Sequence, residues 1–180
     1  MGRQGSRDRI LEAAREVLQA EGVSGLTFDA VARVAEVTRA GVIYHFNSRE
    51  QLLLTLHRYL ADRFERSLEE QLDGPRENAT SSERLSAYVR VCADLTSRAE
   101  LLFMIEGATN AEAASIWTEL HSRWLPSPEG IAGQGSGLRS FLVRLAADGL
   151  WMYEAATGES LTPEERRLAA DALMDMLNGG

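Results

Sequence analysis

LTFDAVARVAEVTRAGVIYHFNSR, residues 26–49, is the stretch whose reading decides the fold. It divides into two short helices around a tight turn. The first is predicted over Phe28–Ala35. Thr27 stands before it as an N-cap, with a hydroxyl that accepts from an orphan N–H of the first turn. Asp29 lies in that turn, where negative charge suits the helix dipole. Ala30, Val31, Val34 and Ala35 make its inward stripe. Glu36 and Val37 form the break. Thr38 then caps a second helix over Arg39–Phe46. Two helices on so short a turn are a helix-turn-helix, whose second helix enters the major groove of DNA.

That second helix does not have the make-up of a core helix. Ala40 and Gly41 at its start let the backbone approach a groove closely. Arg39 reaches a guanine edge or a phosphate, and Thr38 a phosphate or a thymine methyl. Tyr44 and His45 suit phosphate contacts near the helix end. A short surface helix with chance polar residues is the competing reading of this segment alone.

The stretch LTFDAVARVAEV, then TRAGVIYHF, then NSREQLL, with AEGVSGLT before it, resembles the N-terminal DNA-binding domain of TetR/AcrR-family transcriptional repressors. The resemblance covers about residues 8–60 without gaps. It implies DNA contacts at Thr27, Thr38, Arg39, Ala40, Gly41, Tyr44, His45 and Arg49, the last to phosphate. Two positions depart from the family pattern. Glu36 stands where a turn glycine is usual, so it either bears a left-handed conformation or avoids one. Ile43 stands where many members carry a phosphate-binding tyrosine, and Tyr44 takes part of that role.

Composition places the chain among ordinary globular proteins: 180 residues, 44% hydrophobic and 26% charged. A lone cysteine, Cys92, leaves no internal disulfide and fits a reducing compartment. No apolar run approaches a membrane span, and MGRQGSRDR lacks the apolar core of a signal peptide. The expectation is a cytoplasmic protein without membrane contact. The net charge of −8 is unevenly spread. Residues 1–60 carry eight Arg against seven Asp and Glu, and residues 61–180 eleven against twenty, that is +1 and −9. A nearly balanced N-terminal third on an acidic body fits a DNA reader whose body is kept off the phosphates. Every cation is Arg, since the chain contains no Lys.

Outward from the helix-turn-helix the pattern stays helical. Residues 1–7 are polar and expected to fray. A first helix is predicted over Asp8–Glu21, with Ile10, Ala14, Val17 and Leu18 as its stripe and Gly22 as its stop. Ser48 and Gln51 have capping-box spacing. They start a long helix predicted to Leu72, about 37 Å at the usual rise, which buries Leu52, Leu53, Leu56, Tyr59, Leu60, Phe64 and Leu68. Asp73-Gly74-Pro75 breaks it, and residues 76–81 read as a polar loop. Helices follow over Ser82–Ser97 (Leu85, Tyr88, Val89, Cys92, Leu95), over a short apolar piece at Glu100–Glu106, and over 111–125 behind an Asn110 cap. Pro126–Gly137 reads as a flexible glycine-rich loop. Two last helices cover Leu138–Thr157, stopped by Gly158, and the segment from Pro163 to Asn178, started by Thr162-Pro163-Glu164-Glu165.

The fold expected is therefore all-α. An N-terminal three-helix helix-turn-helix domain, residues 1–47, precedes a helical effector-binding and dimerisation domain, residues 48–180. The last two helices bury their apolar faces well only against further helices. In the family that partner is the same pair from a second subunit, which implies a homodimer interface at Phe141, Leu145, Leu150, Tyr153, Leu168, Ala172 and Met176. Closure of the monomer core by the same helices is the alternative. Tyr88, Cys92, Phe103, Trp117, His121 and Trp124 are candidates to line a pocket for a small apolar or aromatic effector, although an aromatic stripe at helical spacing is also what a core looks like.

Enzyme readings have no motif behind them. His45, His57 and His121 share no metal-ligand spacing, and no HExxH, phosphate loop or nucleophile elbow is present. No metal and no cofactor are expected. By the family's logic, a homodimer binds a palindromic double-stranded operator without ligand, and a small-molecule effector releases it. A hundredfold weakening of DNA binding needs about 2.8 kcal/mol of coupling. The alternatives are a helical small-molecule-binding protein with a vestigial helix-turn-helix, or a constitutive DNA binder without effector.

Overall fold

A computed structural model of the chain describes residues 3–94, 97–127 and 135–179. Among these residues there are α-helices and one short 3₁₀ turn, and no strands. The helices are α1 (Arg3–Gly25), α2 (Phe28–Val34), α3 (Arg39–His45), α4 (Arg49–Glu69), α5 (Ser81–Asp94), α6 (Arg98–Gly107), α7 (Ala111–Trp124), α8 (Ser136–Thr157) and α9 (Pro163–Asn178). None of them is long and apolar enough to cross a membrane.

Side-chain caps set most of the starts. Thr27 accepts from Ala30 N–H at 3.1 Å and Thr38 from Gly41 N–H at 3.0 Å. Asn110 accepts from Glu112 and Ala113 N–H. Thr162 and Glu165 form the complete capping box behind Pro163. A second box joins Thr80 and Glu83 at the head of α5, with Thr80 in the segment expected to be a polar loop. Each such cap satisfies backbone donors that the first turn leaves free, worth about 1 kcal/mol.

The ends differ in part from expectation. Helix α1 begins at Arg3, so residues 3–7 are helical where fraying was expected. Gly22 kinks α1 at φ 70° and ψ −173°, and the helical path resumes to Gly25. Helix α4 stops at Glu69, short of Leu72. Gln71 and Leu72 instead make three-residue bonds to Leu68 and Glu69, which tighten the last turn ahead of Gly74-Pro75. Leu95, and residues 128–134 of the expected glycine-rich loop, lie outside the described residues.

The chain divides into two compact units, neither of them one continuous segment. Unit 1 comprises Met1–Asp62 and Ser97–Ile116; unit 2 comprises Arg63–Thr96 and Trp117–Gly180. A cut at 47/48 separates the reading helices from the rest of the chain, whereas the packing divides α4 at 62/63 and α7 at 116/117.

In unit 1, α1 packs on α2, α2 on α3, and α1 also on α6. Ile10, Ala14, Val17, Leu18, Leu26, Val31, Val42 and Phe46 are buried together with Leu52 and Leu56 of α4. Burial of the larger of these side chains contributes roughly 1.5–3 kcal/mol each. Val34, expected inside, is only half-buried, while Ala32 is buried. Polar ties join α1 to α6: Arg15 and Gln19 both donate to Glu100, at 3.3 and 3.0 Å. Tyr59 OH donates to Glu12.

In unit 2, α5 packs against α8 and α9, and these two pack on each other. Leu85, Tyr88, Val89 and Cys92 of α5, Val143 and Ala147 of α8, and Ala170 and Leu173 of α9 form the buried set. Leu68, Leu120 and Trp124 are buried as well.

Candidate nucleic-acid interface

The reading helix is built in two layers. Val42 and Phe46 are fully buried and anchor α3 to unit 1. Between and around them, Thr38, Arg39, Ala40, Ile43 and Tyr44 are exposed, Tyr44 at 65%. Gly41 and His45 are half-buried. The rings of Tyr44 and His45 meet edge to face at 5.2 Å. Gly41 leaves the outer side of the first turn low. A methyl there would reach the Thr38 hydroxyl that performs the capping, at 3.4 Å.

The turn before α3 takes the left-handed form. Glu36 has φ 52°, and Val37 N–H bonds back to Ala32 O at 3.0 Å. That six-residue return bond closes α2 in the manner usually given to glycine. Of the two outcomes open at this position, Glu36 therefore bears the left-handed strain, on the order of 1 kcal/mol.

Several of the expected contact residues have intramolecular roles. Thr27 and Thr38 are caps whose hydroxyls are engaged by backbone N–H groups. Arg39 lies 3.5 Å from Asp29, both side chains well exposed. Arg49 is turned inward: its guanidinium donates to Leu26 O at 3.0 Å and to Val23 O at 2.9 Å. It thereby caps carbonyls at and just beyond the end of α1, a use that no signal in its own neighbourhood announces. Arg7, expected in a frayed tail, sits on α1 with its guanidinium 5.5 Å over the Phe46 ring.

The expected effector residues separate between the two units. Tyr88, Cys92, Trp117, His121 and Trp124 belong to unit 2, Phe103 to unit 1. In unit 2, His121 lies edge-on to Tyr88 at 6.4 Å and tilted to Trp117 at 6.5 Å. Tyr88 OH donates to Asp148 at 2.5 Å. Burial pushes the Tyr88 hydroxyl well above its ordinary range, and neighbouring Cys92 and Asp148 add to that. Burial also raises the Cys92 thiol, which is what an unreactive core thiol requires. His121 is lowered by burial and by Arg144, against Asp148. Trp124 is wholly buried and donates its indole N–H to Glu65 at 2.9 Å. Glu65 also takes a forked pair of bonds from Arg123, at 3.0 and 2.6 Å. Burial opposes its ionisation, yet these donors hold it below the usual carboxylate range.

Helices α8 and α9 each have two apolar faces. Val143, Ala147 and Ala155, with Ala170 and Leu173, are the buried face. Leu145, Tyr153, Leu168 and Met176 of the expected interface are exposed by 42–57%, as are Leu142 and Met152, which lie outside that expected set. Phe141 and Leu150 are half-buried and Ala172 is exposed. Among the described residues no group of three or more His, Cys, Asp or Glu side chains is gathered as metal ligands would be.

Comparison with known proteins bears on both ends of the chain. The profile described as "Bacterial regulatory proteins, tetR family" matches residues 10–56. The profile "Tetracyclin repressor-like, C-terminal domain" matches residues 82–178. The chain is 50% identical over 48 residues to the HTH-type transcriptional regulator SrpR of Pseudomonas putida, a match covering 27% of this chain and 22% of that protein. A 48% identity over 48 residues links it to the HTH-type regulator TtgW, also of Pseudomonas putida, covering 27% and 36%. The chain thus spans about a fifth to a third of the length of these relatives. Among solved structures, a transcriptional regulator from Rhodococcus sp. Rha1 superposes with a TM-score of 0.73 at 20% identity, over 95% of both chains. The multidrug binding protein EbrR complexed with malachite green superposes at 0.63 and 19% identity, over 94% of this chain and 96% of that one. At such identities the likeness is one of fold.

Proposed function

The chain belongs to the TetR family of DNA-binding transcriptional regulators, and from that premise we propose that it is a ligand-responsive repressor acting as a homodimer on a palindromic operator. The observation that carries this is the two-layered α3: buried Val42 and Phe46 fix a helix whose outer side offers Arg39, Ala40, Ile43 and Tyr44. A short helix held that rigidly, capped at its N-terminus and topped by small residues, is shaped to lie in a major groove. Arg39, Tyr44 and His45 supply base or phosphate contacts, with Thr38, Ala40 and Gly41 allowing close approach. Thr27 caps the helix before the reading helix and Arg49 is tied to the carbonyls of Val23 and Leu26, and the proposed DNA contact of Thr27 and phosphate contact of Arg49 use the donor capacity that these bonds leave over.

Residues 1–47, with Arg49 just beyond them, carry the DNA contacts in this reading, and the rest of residues 48–180 the effector and dimer functions. The outward apolar rows of α8 and α9 pair with those of a second copy, so that two reading helices meet half-sites about 34 Å apart. Tyr88, Cys92, Trp117, His121 and Trp124 surround the effector, a small apolar or aromatic molecule. Its binding must favour the form with mismatched half-site spacing. The protein works in the cytoplasm in this reading and needs neither metal nor cofactor.

The test is selection of random duplex DNA by the purified protein, followed by the mass of the complex on the enriched sequence. A palindrome bound by two copies is the expected result. Enrichment without a palindrome, with binding that falls steeply in salt, would indicate a sequence-indifferent DNA binder. No enrichment at any salt would retire DNA reading.

A further inference from the structure

We propose that Ile43 is a specificity-determining residue of the reading helix, making an apolar contact with the 5-methyl group of a thymine in the major groove. This role rests on the DNA reading of α3 and adds to it the base feature that one side chain recognises.

A single exposed isoleucine is ordinary on a protein surface. What sets Ile43 apart is its place. It is 39% exposed, and it and Tyr44 are the large apolar side chains left exposed among the described residues before α6. Its sequence neighbour Val42 is fully buried and fixes the helix, so Ile43 is held on a rigid support. Arg39 stands four residues earlier, one helical turn back on the same flank, about 6 Å along the axis. Ala40 and Tyr44 form the exposed row beside that flank. No acidic residue lies on α3 to repel a phosphate backbone, and Ala40 and Gly41 keep its first turn low. An arginine and an isoleucine so spaced meet base edges about two base pairs apart, at 3.4 Å per step.

Chemistry then narrows the target. The isoleucine side chain has neither donor nor acceptor, so a phosphate oxygen or a polar base edge offers it no bond. In the major groove guanine, cytosine and adenine present donors and acceptors, and thymine adds a methyl group. Ile43 seated on that methyl removes apolar surface of both partners from water. Seated on the cytosine amino group it would cover a donor without pairing it. The side chain therefore selects thymine over cytosine by attraction to the one and by a desolvation cost at the other.

The experiment uses the full chain and the duplex enriched in the operator selection. Each thymine is replaced in turn, in both half-sites, by deoxyuridine, which lacks only the 5-methyl group. At one thymine per half-site the replacement is expected to weaken binding about fourfold per half-site, the worth of one buried carbon. Ile43→Ala should bind the unmodified duplex more weakly and lose that sensitivity, and Ile43→Val should keep part of it. The melting profile of both variants and the salt dependence of their binding should match those of the parent chain, because neither the core nor a phosphate contact is lost. A duplex without thymine in its half-sites, or a parent chain indifferent to every thymine methyl, would overturn the contact. So would sensitivity that survives in full in Ile43→Ala, or a salt dependence that falls with the substitution. A selection that enriches no duplex retires the DNA reading and this contact together, whereas tight binding that ignores the methyl groups retires the contact alone.

Discussion

Arg39, the first residue of the reading helix, holds its guanidinium 3.5 Å from the carboxylate of Asp29 on the helix before it. Both side chains are mostly exposed, so the pair adds little to stability, roughly 0–1 kcal/mol. Its effect falls on DNA binding, because an arginine that reads a base or phosphate must leave this partner. Arg39→Ala is expected to weaken specific operator binding by about 1–3 kcal/mol. Asp29→Asn should strengthen it by up to about 1 kcal/mol. Both are measured by titration of the selected duplex at fixed salt. Unchanged affinity in Arg39→Ala would remove Arg39 from the interface.

The left-handed Glu36 gives a prediction with the opposite sign to most substitutions. Glu36→Gly removes the steric cost at φ 52° and adds back some chain entropy in the unfolded state. The net expected is a gain of up to about 1 kcal/mol in thermal or urea unfolding. A loss of stability would mean that the Glu36 side chain contributes more than its backbone costs.

His57 makes folding sensitive to acid. Its pKa in the folded chain is about 4, against about 6.5 when unfolded. Between those values the unfolded chain takes up a proton that the folded chain refuses. The contribution of His57 is therefore fully present above about pH 6.5 and is lost as pH falls towards 4. Glu50 and Glu106 line a cleft with His57, and burial is the cause of the lowering. The expected loss is on the order of 2 kcal/mol. Urea unfolding at stepped pH should show a shallower decline for His57→Gln than for the parent chain. Parallel declines would refute the assignment.

For the dimer, the informative substitutions lie on the outward rows. Leu145 and Leu168 are about half exposed in the single chain, so Leu145→Glu with Leu168→Glu should leave the helices folded. Sedimentation equilibrium is expected to show a dimer for the parent chain and a monomer for the double variant. A dimer that survives both charges must use another face.

Local signals are the legible ones in this chain. Thr27, Thr38, Asn110 and Thr162 can be read as caps because a cap needs only a hydroxyl or amide oxygen a few residues before its donor. The 52, 56, 60, 64, 68 row of α4 can be read because its spacing follows the helix period. The Thr80–Glu83 box has an equally local spacing, but the polar residues around it blur the contrast between loop and helix start. Other features depend on packing between distant segments. Nothing near Phe103 marks it as a partner of His57 and not of Tyr88. Nothing near Arg49 says that its guanidinium turns towards Val23 and Leu26. Both outcomes are decided by which helices pack together, as is the inclusion of α6 in unit 1.

That inclusion bears on the order of folding. The contacts among α1, α2, α3 and the start of α4 span short stretches of chain, and the ring closed by Arg49 and Leu26 is only 23 residues around. Local contacts of this kind form fast, since little loop entropy is lost. The bonds from Arg15 and Gln19 to Glu100 close loops of 85 and 81 residues. On a ribosome the reading helices emerge and can collapse seconds before Glu100 exists, at about 5–20 residues per second. Unit 1 therefore begins to fold first and finishes only after the whole of α5 has been made.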